Sequence, residues 1–355
     1  MPELATADAL NLVQADRRKG VVSTMVNDLV FFQHVFEKGG ITTKYGGGSS
    51  IEFIQHGQAP ATGIGLYAGT EAAPIGRTQI LRKGQTELHH MMVVIAIPNQ
   101  DLITNSGPSR VEEMWKVYTE ATVTGTHRDI ETFWHTGVSE GNVFSTAALS
   151  GLLSGNGQFT GGLRIGVENG MLEYRTPALQ SAGAASFMGI TRSTTYNWYN
   201  NFGLVTTIDT DFHEVFGKTI REASRFAGKA NAPYIAFADP TSFGKLHAWR
   251  YQPVRVTSID QATERDNFHS VKIGSCTFYE ARDIDITLFS GDAANGVVNG
   301  YNLSDIEITF AEMPKLSNYE KVVINQDVLA CSYMMRLQFL VKNLPSHWAL
   351  AGTAR

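Results

Sequence analysis

Charged residues and cysteines are scarce in this sequence of 355 residues. Lys, Arg, Asp and Glu make up 18% of the chain, below the usual share of about a quarter. The net charge of −5 argues against a basic surface that binds nucleic acid tightly. The two cysteines, Cys276 and Cys331, form no CxxC pair. This excludes a disulfide framework and predicts two unpaired thiols in a reducing compartment.

Long apolar runs are absent as well. The longest one, from Met91 to Ile97, is far too short to span a bilayer. Residues 1–20 carry charges throughout, so they do not have the pattern of a secretory signal. These two absences predict a protein that makes no membrane contact and is synthesised in the cytoplasm.

Signatures of catalysis and of nucleotide binding are missing or incomplete. The triplet Gly217-Lys218-Thr219 is similar to the end of a phosphate-binding loop, but position 212 holds Phe212 where the motif needs glycine. The segment Gly155–Gly161 has one residue too many for the dinucleotide fingerprint. No GxSxG, HExxH or CxxC motif occurs. We therefore expect no cofactor and no enzyme active site.

Two acidic clusters are candidate sites. Asp209, Asp211 and His213 alternate at a predicted helix start and do not converge on one face, so they predict no metal site. Asp283 and Asp285 share one face of a predicted strand, and paired carboxylates can perform acid–base chemistry in a suitable cleft. A hydrolase that uses this pair stays open as an alternative.

Glycine is abundant, with 34 residues, and Gly57, Gly63, Gly65, Gly69 and Gly76 punctuate the segment 51–97. Ile51–Ile54 is a predicted short strand, and Gln85–Ile97 is a longer extended segment whose apolar end can enter a core. The part between them has few large apolar residues and no helical period. Such a long stretch without its own core is unusual in a compact domain. It is either a disordered loop or an extended hairpin that becomes ordered on a neighbouring subunit.

The first half of the chain also contains helical patterns. A helix predicted from about residue 22 to 36 ends at Gly39-Gly40. Ser109 and Glu112 form a capping box that predicts one long helix from about 110 to 134. A short helix is predicted at about 146–153. The turn signal Asn169-Gly170 predicts a hairpin with strands at about 163–167 and 171–175.

The second half has the pattern of a compact unit of helices and strands. Asp211 is predicted to open a one-faced apolar helix that ends at Gly228, and Asp239 to start another. Strands are predicted at 233–238 and near 271–279, 284–289 and 305–310. Alternate residues from Leu329 to Val341 are apolar, which predicts a strand with one buried face before Pro345.

Three sequence stretches, together with this order of elements, carry a resemblance to a known family. Phe187–Ser193, followed by Tyr196–Asn201, is similar to the "GGI-R-S … WW-N" stretch of one branch of that family, and Ala148–Leu153 resembles the segment before it. Asn343-Leu344-Pro345 with Leu350-Ala351-Gly352 is similar to its "NP…G" tail. The chain thus resembles the major capsid proteins of tailed double-stranded DNA bacteriophages, which have the Hong Kong 97-like fold.

The resemblance implies an α+β architecture with four parts. An N-terminal arm and helix occupy 1–50, and an extended loop, a β-hairpin, occupies 51–97. A peripheral domain is formed by 98–186 and 311–355, with a long spine helix at 109–135. An axial domain is formed by 187–310.

The resemblance also implies a function as a shell protein. Pentamers and hexamers of one chain would form an icosahedral capsid around double-stranded DNA, located in the virion and assembled in the host cytoplasm. The implied partners are other copies of the chain, a scaffolding protein, the portal protein, a decoration protein, and weakly contacted DNA. We predict no covalent cross-link. The residues assigned on this basis to contacts between subunits are Gln58, Tyr67, Lys83, Glu87, His89, Trp198 and Tyr199.

One further alternative shares the implied fold. A bacterial nanocompartment shell of the encapsulin type encloses a protein cargo instead of DNA. The stretch from Arg192 to Trp198 favours the phage protein.

Overall fold

The computed structural model of the chain describes 17 separate stretches or single positions, and all structural statements refer to them. They are residues 40–42, 50–57, 81–87, 89–98, 115–126, 128, 134, 159–160, 172–182, 186–227, 234–250, 270–282, 284, 286, 291–317, 320–322 and 328–354. The predicted helices at 22–36 and 146–153 lie outside these residues.

The described elements are strands and helices in the following order. The first part contains β1 (Gly40–Thr42), β2 (Ser50–His56), β3 (Leu81–Glu87), β4 (His89–Pro98), the helical run α1 (115–126), β5 (Phe159–Thr160), β6 (Leu172–Glu173), α2 (Pro177–Ala182), β7 (Ser186–Phe187), β8 (Ile190–Thr191) and β9 (Asn201–Leu204). The second part contains α3 (Ile208–Phe226), β10 (Tyr234–Ala238), α4 (Pro240–Arg250), β11 (Ser270–Ile273), β12 (Cys276–Glu280), β13 (Val297–Asn302), β14 (Ile306–Leu316), β15 (Glu320–Val322), β16 (Val328–Val341) and β17 (Trp348–Ala351).

The five-stranded sheet is organised around β16. Strands β14 and β15 pair with β16 antiparallel, β4 pairs antiparallel with residues 328–337 of β16, and β1 lies parallel to β14. The alternation predicted for this strand is confirmed, because every second side chain from Cys331 to Val341 is buried. This buried face forms a large part of the core.

The six-stranded sheet has the order β11-β12-β10-β13-β17-β9. Its central strand β10 is buried at all five positions, as the apolar run at 233–238 predicted. Helix α4 follows it directly, and the predicted role of Asp239 at its start is confirmed. The Asp239 carboxylate accepts the backbone N–H groups of Thr241 and Ser242, and its second oxygen accepts the N–H of Val297 in β13.

Helix α3 packs one apolar face toward the six-stranded sheet. It begins at Ile208, three residues before the predicted start, and Thr207 is its N-cap residue in place of Asp211. The rings of Phe212 and Phe216 are stacked with centroids 5.5 Å apart. Phe216 also contacts Trp348 of β17 at 5.5 Å, which joins the helix to the C-terminal strand.

The described part of the predicted helix at 110–134 is helical at residues 115–126, at 128 and at 134. Trp134 is fully buried. Its ring lies 4.8 Å from Phe339 of β16 and 5.5 Å from Tyr301 of β13, measured between centroids. A single side chain therefore contacts both sheets.

Two of the last strands of the chain enter different sheets. Strand β14 begins at Ile306 and belongs to the five-stranded sheet, whereas β17 lies inside the six-stranded sheet between β13 and β9. A C-terminal strand of four residues has no pattern that identifies its partners.

The hairpin predicted around Asn169-Gly170 lies largely outside the described residues, which show Leu172 paired with Thr160. One local prediction is corrected. The described residues Ile284 and Ile286 of the predicted strand 284–289 are not in a strand.

Both cysteines are buried and neither forms a disulfide, as predicted. Burial raises the pKa of the Cys276 thiol well above its ordinary value. In the part of the chain that the structure describes, no helix has the length and apolar character needed to cross a membrane.

Candidate assembly site

The β2–β3 hairpin has two different faces. The strands pair from Ser50–Glu87 to His56–Leu81, and residues opposite each other share a face. On the inward face, the ring of Phe53 lies over Gly84 and 6.0 Å from the ring of Trp198. We call residues 50–57 and 81–87 the hairpin root.

Hydrogen bonds attach the hairpin root to the segment 186–201 of the same subunit. Gln55 Nε2 donates to the carbonyl of Tyr196 at 2.9 Å, and Asn197 Nδ2 donates to the carbonyl of Gly57 at 2.9 Å. A Cβ on residue 57 would lie only 1.9 Å from that Tyr196 carbonyl oxygen, so this close approach requires glycine. The hairpin root is thereby held at its distal end.

Three further contacts complete this attachment. The backbone N–H of Gln85 donates to the carbonyl of Met188 at 3.0 Å. The Arg82 guanidinium lies 3.4 Å from the centroid of the Tyr196 ring, a cation–π contact. Gln338 Nε2 of β16 donates to the Thr86 hydroxyl at 2.9 Å. The root is thus fixed to both the segment 186–201 and the five-stranded sheet.

The segment that receives the root has an unusual backbone. β7 and β8 are joined by a two-residue turn in which Met188 has a φ of 53° and Gly189 a φ of 72°. These signs are those of a type I′ turn. Asn197 also has a positive φ, 51°, just before the bridge between Ser193 and Trp198. Both conformations present carbonyl or amide groups to the hairpin root.

A buried ionic network connects the segment 186–201 to β6 and α2. Arg192 and Glu173 are completely buried, and Arg192 Nε lies 3.4 Å from Glu173 Oε2. Arg175 binds the other carboxylate oxygen. Arg192 also donates to Gln180 Oε1 at 3.3 Å and to Asn200 Oδ1 at 3.1 Å. The network therefore joins β6 and α2 to the residues on either side of Trp198.

The charge of Arg192 persists at neutral pH despite this burial. Desolvation lowers its pKa from 12.5 to about 10, while the attraction of Glu173 acts in the opposite direction. Glu173 and Arg192 thus form an ion pair inside the protein, where an unpaired charge is costly.

The outward face of the hairpin root is exposed and partly apolar. Ile54 is 72% exposed and Leu81 is 49% exposed. On the same face, Lys83 lies opposite Ile54, and its Nζ atom contacts Glu52 Oε1 at 2.5 Å. The remaining exposed members of this face are His56 and Gln85.

The residues that the sequence analysis assigned to subunit contacts differ in their exposure. Lys83 lies on the outward face described above. Trp198 does not fit that assignment, because its side chain is completely buried and its indole N–H donates to the carbonyl of Phe187 at 3.2 Å. Tyr199 is half-buried against Phe226, and burial, reinforced by Glu222, raises its pKa. Trp198 thus supports the hairpin root from within the subunit.

The other assigned residues are only partly located. Glu87 is the last residue of β3 and His89 the first of β4. Gln58 and Tyr67 lie outside the described residues, as do Asp283 and Asp285.

The remaining motif candidates have structural roles. The triplet at 217–219 lies inside α3, where the Thr219 hydroxyl donates to the carbonyl of Val215 at 2.8 Å. Asp211 accepts hydroxyl groups of Thr206 and Thr210, which lower its pKa. The described residues contain no group of three or more potential metal ligands.

Sequence reasoning missed Gln55, Asn197 and Arg192 as positioning residues. Arg192 and Asn197 belong to the stretch that carries the family resemblance, so the signal was present. The partners of these residues are distant in sequence, and no local pattern identified their contacts.

Comparisons with known proteins agree with this geometry at the level of fold. No protein-family model matches the chain, and no curated protein is significantly similar in sequence. The capsid asymmetric unit of cyanophage A-1(L) has a TM-score of 0.60 and 11% identity, covering 97% of this chain and 98% of its own. The mature capsid of bacteriophage PhiM1 has a TM-score of 0.53 and 10% identity, covering 95% and 90%. The capsid of Myoviridae phage XM1 has a TM-score of 0.52 and 10% identity, covering 94% and 100%.

The chain therefore has the Hong Kong 97-like fold of tailed-phage capsid proteins. The similarity extends over nearly the whole chain, and the fold predicted from the sequence is confirmed at this level.

Proposed function

We propose that this protein is the major capsid protein of a tailed bacteriophage. Copies of it assemble as pentamers and hexamers into an icosahedral shell that encloses double-stranded DNA. The observation that carries this proposal is the whole-chain similarity in fold to capsid subunits. The role is structural and not catalytic.

Parts of the fold can be assigned within this proposal. The five-stranded sheet and α1 form the peripheral domain, and the six-stranded sheet with α3 and α4 forms the axial domain. The hairpin root carries the extended loop, whose segment 58–80 reaches a neighbouring subunit. Because the root is bonded to its own subunit at Tyr196, Gly57 and Met188, it gives that loop a defined direction.

The outward face of the hairpin root is a candidate contact surface within the shell. Its exposed Ile54 and Leu81 side chains would gain free energy by leaving water. Lys83 and Glu52 form an ion pair on the same face and neutralise each other, which suits the charge-poor centre of an interface. Glu87, His89 and Tyr199, together with Gln58 and Tyr67, are further proposed contacts.

The proposed partners follow from the same role. A scaffolding protein, a portal protein and a decoration protein would bind the shell, which assembles in the host cytoplasm and ends in the virion. Packaged DNA would be contacted weakly, because a chain with a net charge of −5 offers few cations to phosphate groups.

Assembly is the direct test of the proposal. Expressed alone or with its scaffolding protein, the chain should form rings or closed shells much larger than its 38.9 kDa mass. Electron microscopy and light scattering measure this. A protein that stays monomeric under all assembly conditions would disprove the proposal. Particles that contain a co-purified enzyme in place of DNA would indicate a nanocompartment shell.

The substitution Ile54→Asp should prevent or strongly reduce assembly without unfolding the subunit. Ile54 is 72% exposed, so a charge there costs the monomer little, but it would be desolvated in an interface. Ile54→Val is the matched control and should assemble normally. Thermal unfolding and electron microscopy separate the two effects. Normal shells from Ile54→Asp would exclude this face from the contact.

A further inference from the structure

The chain crosses between the two sheets twice at one place. The first crossover, Leu303–Asp305, is a 3₁₀ turn that joins β13 to β14. The second crossover, 342–347, contains the 3₁₀ turn Leu344–Ser346 and joins β16 to β17. Two strands of each sheet therefore meet at this point.

Asp305 connects the two crossovers through its side chain and its backbone. Its Oδ2 atom accepts the Ser346 hydroxyl at 2.5 Å and Asn343 Nδ2 at 3.3 Å. Its carbonyl accepts the backbone N–H of Lys342 at 2.9 Å. Asn302 Nδ2 donates to the same Oδ2 atom at 2.8 Å and holds the carboxylate in place.

Two neighbouring bonds extend this cluster into the six-stranded layer. Asn343 Nδ2 also donates to the carbonyl of Phe226, the last residue of α3, at 2.6 Å. The backbone N–H of Asn302 donates to Nδ1 of the fully buried His347 at 3.1 Å. The helix, the end of β13 and both crossovers are thus joined by directional bonds.

We propose that the hydrogen bonds of Asp305 to both crossovers, which we call the joint, set the angle between the two sheets. An apolar cluster that includes Trp134, Tyr301 and Phe339 also spans the sheets, but hydrophobic contact is not directional and tolerates sliding. Hydrogen bonds to a carboxylate are strong and have defined geometry. The apolar cluster therefore holds the sheets together, and the Asp305 cluster orients them.

The joint has a consequence for shells that rests on the proposed function. A subunit must keep its shape within narrow limits for identical copies to close into a shell of one size. Loss of the Asp305 carboxylate therefore increases the variation of shell diameter, even if single subunits remain folded.

Hydrogen exchange on the soluble subunit tests the joint itself. In Asp305→Ala, amide exchange in peptides that cover 297–310 and 338–350 should become about tenfold faster, because three hydrogen bonds to one partly buried acceptor are lost. Exchange in β10 should not change. Asp305→Asn keeps an acceptor oxygen of the same reach and should remain closer to the wild type.

Lys342→Ala is the control for loss of a charge in the same crossover, since the Lys342 side chain pairs with Glu307 and lowers the pKa of Asp305 by its charge but donates none of the hydrogen bonds to the Asp305 carboxylate. It should raise exchange at 297–310 much less than Asp305→Ala does. If Asp305→Ala does not fold, Ser346→Ala removes one of the same bonds and should give a smaller increase at the same peptides. Unchanged exchange in the folded variants, or an equal increase in Lys342→Ala, would overturn the proposal. This result is independent of whether the protein forms shells.

Discussion

Replacing Arg192 with methionine should lower the free energy of unfolding by about 3–5 kcal/mol, because it leaves the buried Glu173 carboxylate without one of its two cationic partners. Both side chains are inaccessible to solvent. The substitution also removes the donors to Gln180 and Asn200, which tie α2 to the segment below the hairpin root. Urea unfolding followed by circular dichroism measures the change.

A surface ion pair provides the matched control for this substitution. Arg282 Nε lies 3.6 Å from Glu280, but its side chain is 56% exposed. Arg282→Met should therefore cost about 0–1 kcal/mol. In the double variant Glu173→Gln/Arg192→Met, the loss should be smaller than the sum of the single losses, since no charge is left unpaired on Glu173. Equal effects of Arg192→Met and Arg282→Met would show that the buried network does not support the fold.

Shortening the extended loop should abolish assembly and leave the subunit folded. His56 pairs with Leu81, so a short Gly-Ser turn can replace residues 58–80 and close the hairpin. Gly57 is kept because its carbonyl accepts the bond from Asn197. The described hydrogen bonds from the hairpin root to the segment 186–201 and to Gln338 are kept, but in the proposed shell the contact with the neighbouring subunit disappears.

The replaced segment must end at residue 80. A deletion extended to residue 88 would also remove β3, whose Gln85 and Thr86 bond to Met188 and Gln338. A variant in which 58–80 is replaced by a Gly-Ser segment of equal length distinguishes loop sequence from loop length. Circular dichroism reports the fold and electron microscopy reports assembly. Normal shells from the shortened protein would show that the loop is dispensable, and a globally unfolded protein would show that it belongs to the core.

Elements with a clear local pattern were predictable from the sequence. The alternation along β16, the apolar run of β10 and the one-faced pattern of α3 each record which side chains are buried. Burial against one layer imposes a period of two on strands and about 3.6 on helices, so the pattern can be read without knowing the partner. The predicted start of α3 is three residues too late, because Asp211 lies in the first turn of the helix and Thr207 is the N-cap residue.

The sequence by itself determined the class of fold and the main helices and strands, because these depend on periodicity and on neighbouring residues. Only the tertiary structure decided which sheet receives β17, how the hairpin root is attached and where the two sheets are joined. Gln55 and Tyr196 are 141 positions apart, and Thr86 and Gln338 are 252 apart. Polar contacts over such distances form only when packing brings the groups together, and they leave no periodic signal in the chain. The same reason explains why Trp198 was assigned to a subunit contact when its indole supports the hairpin root from inside.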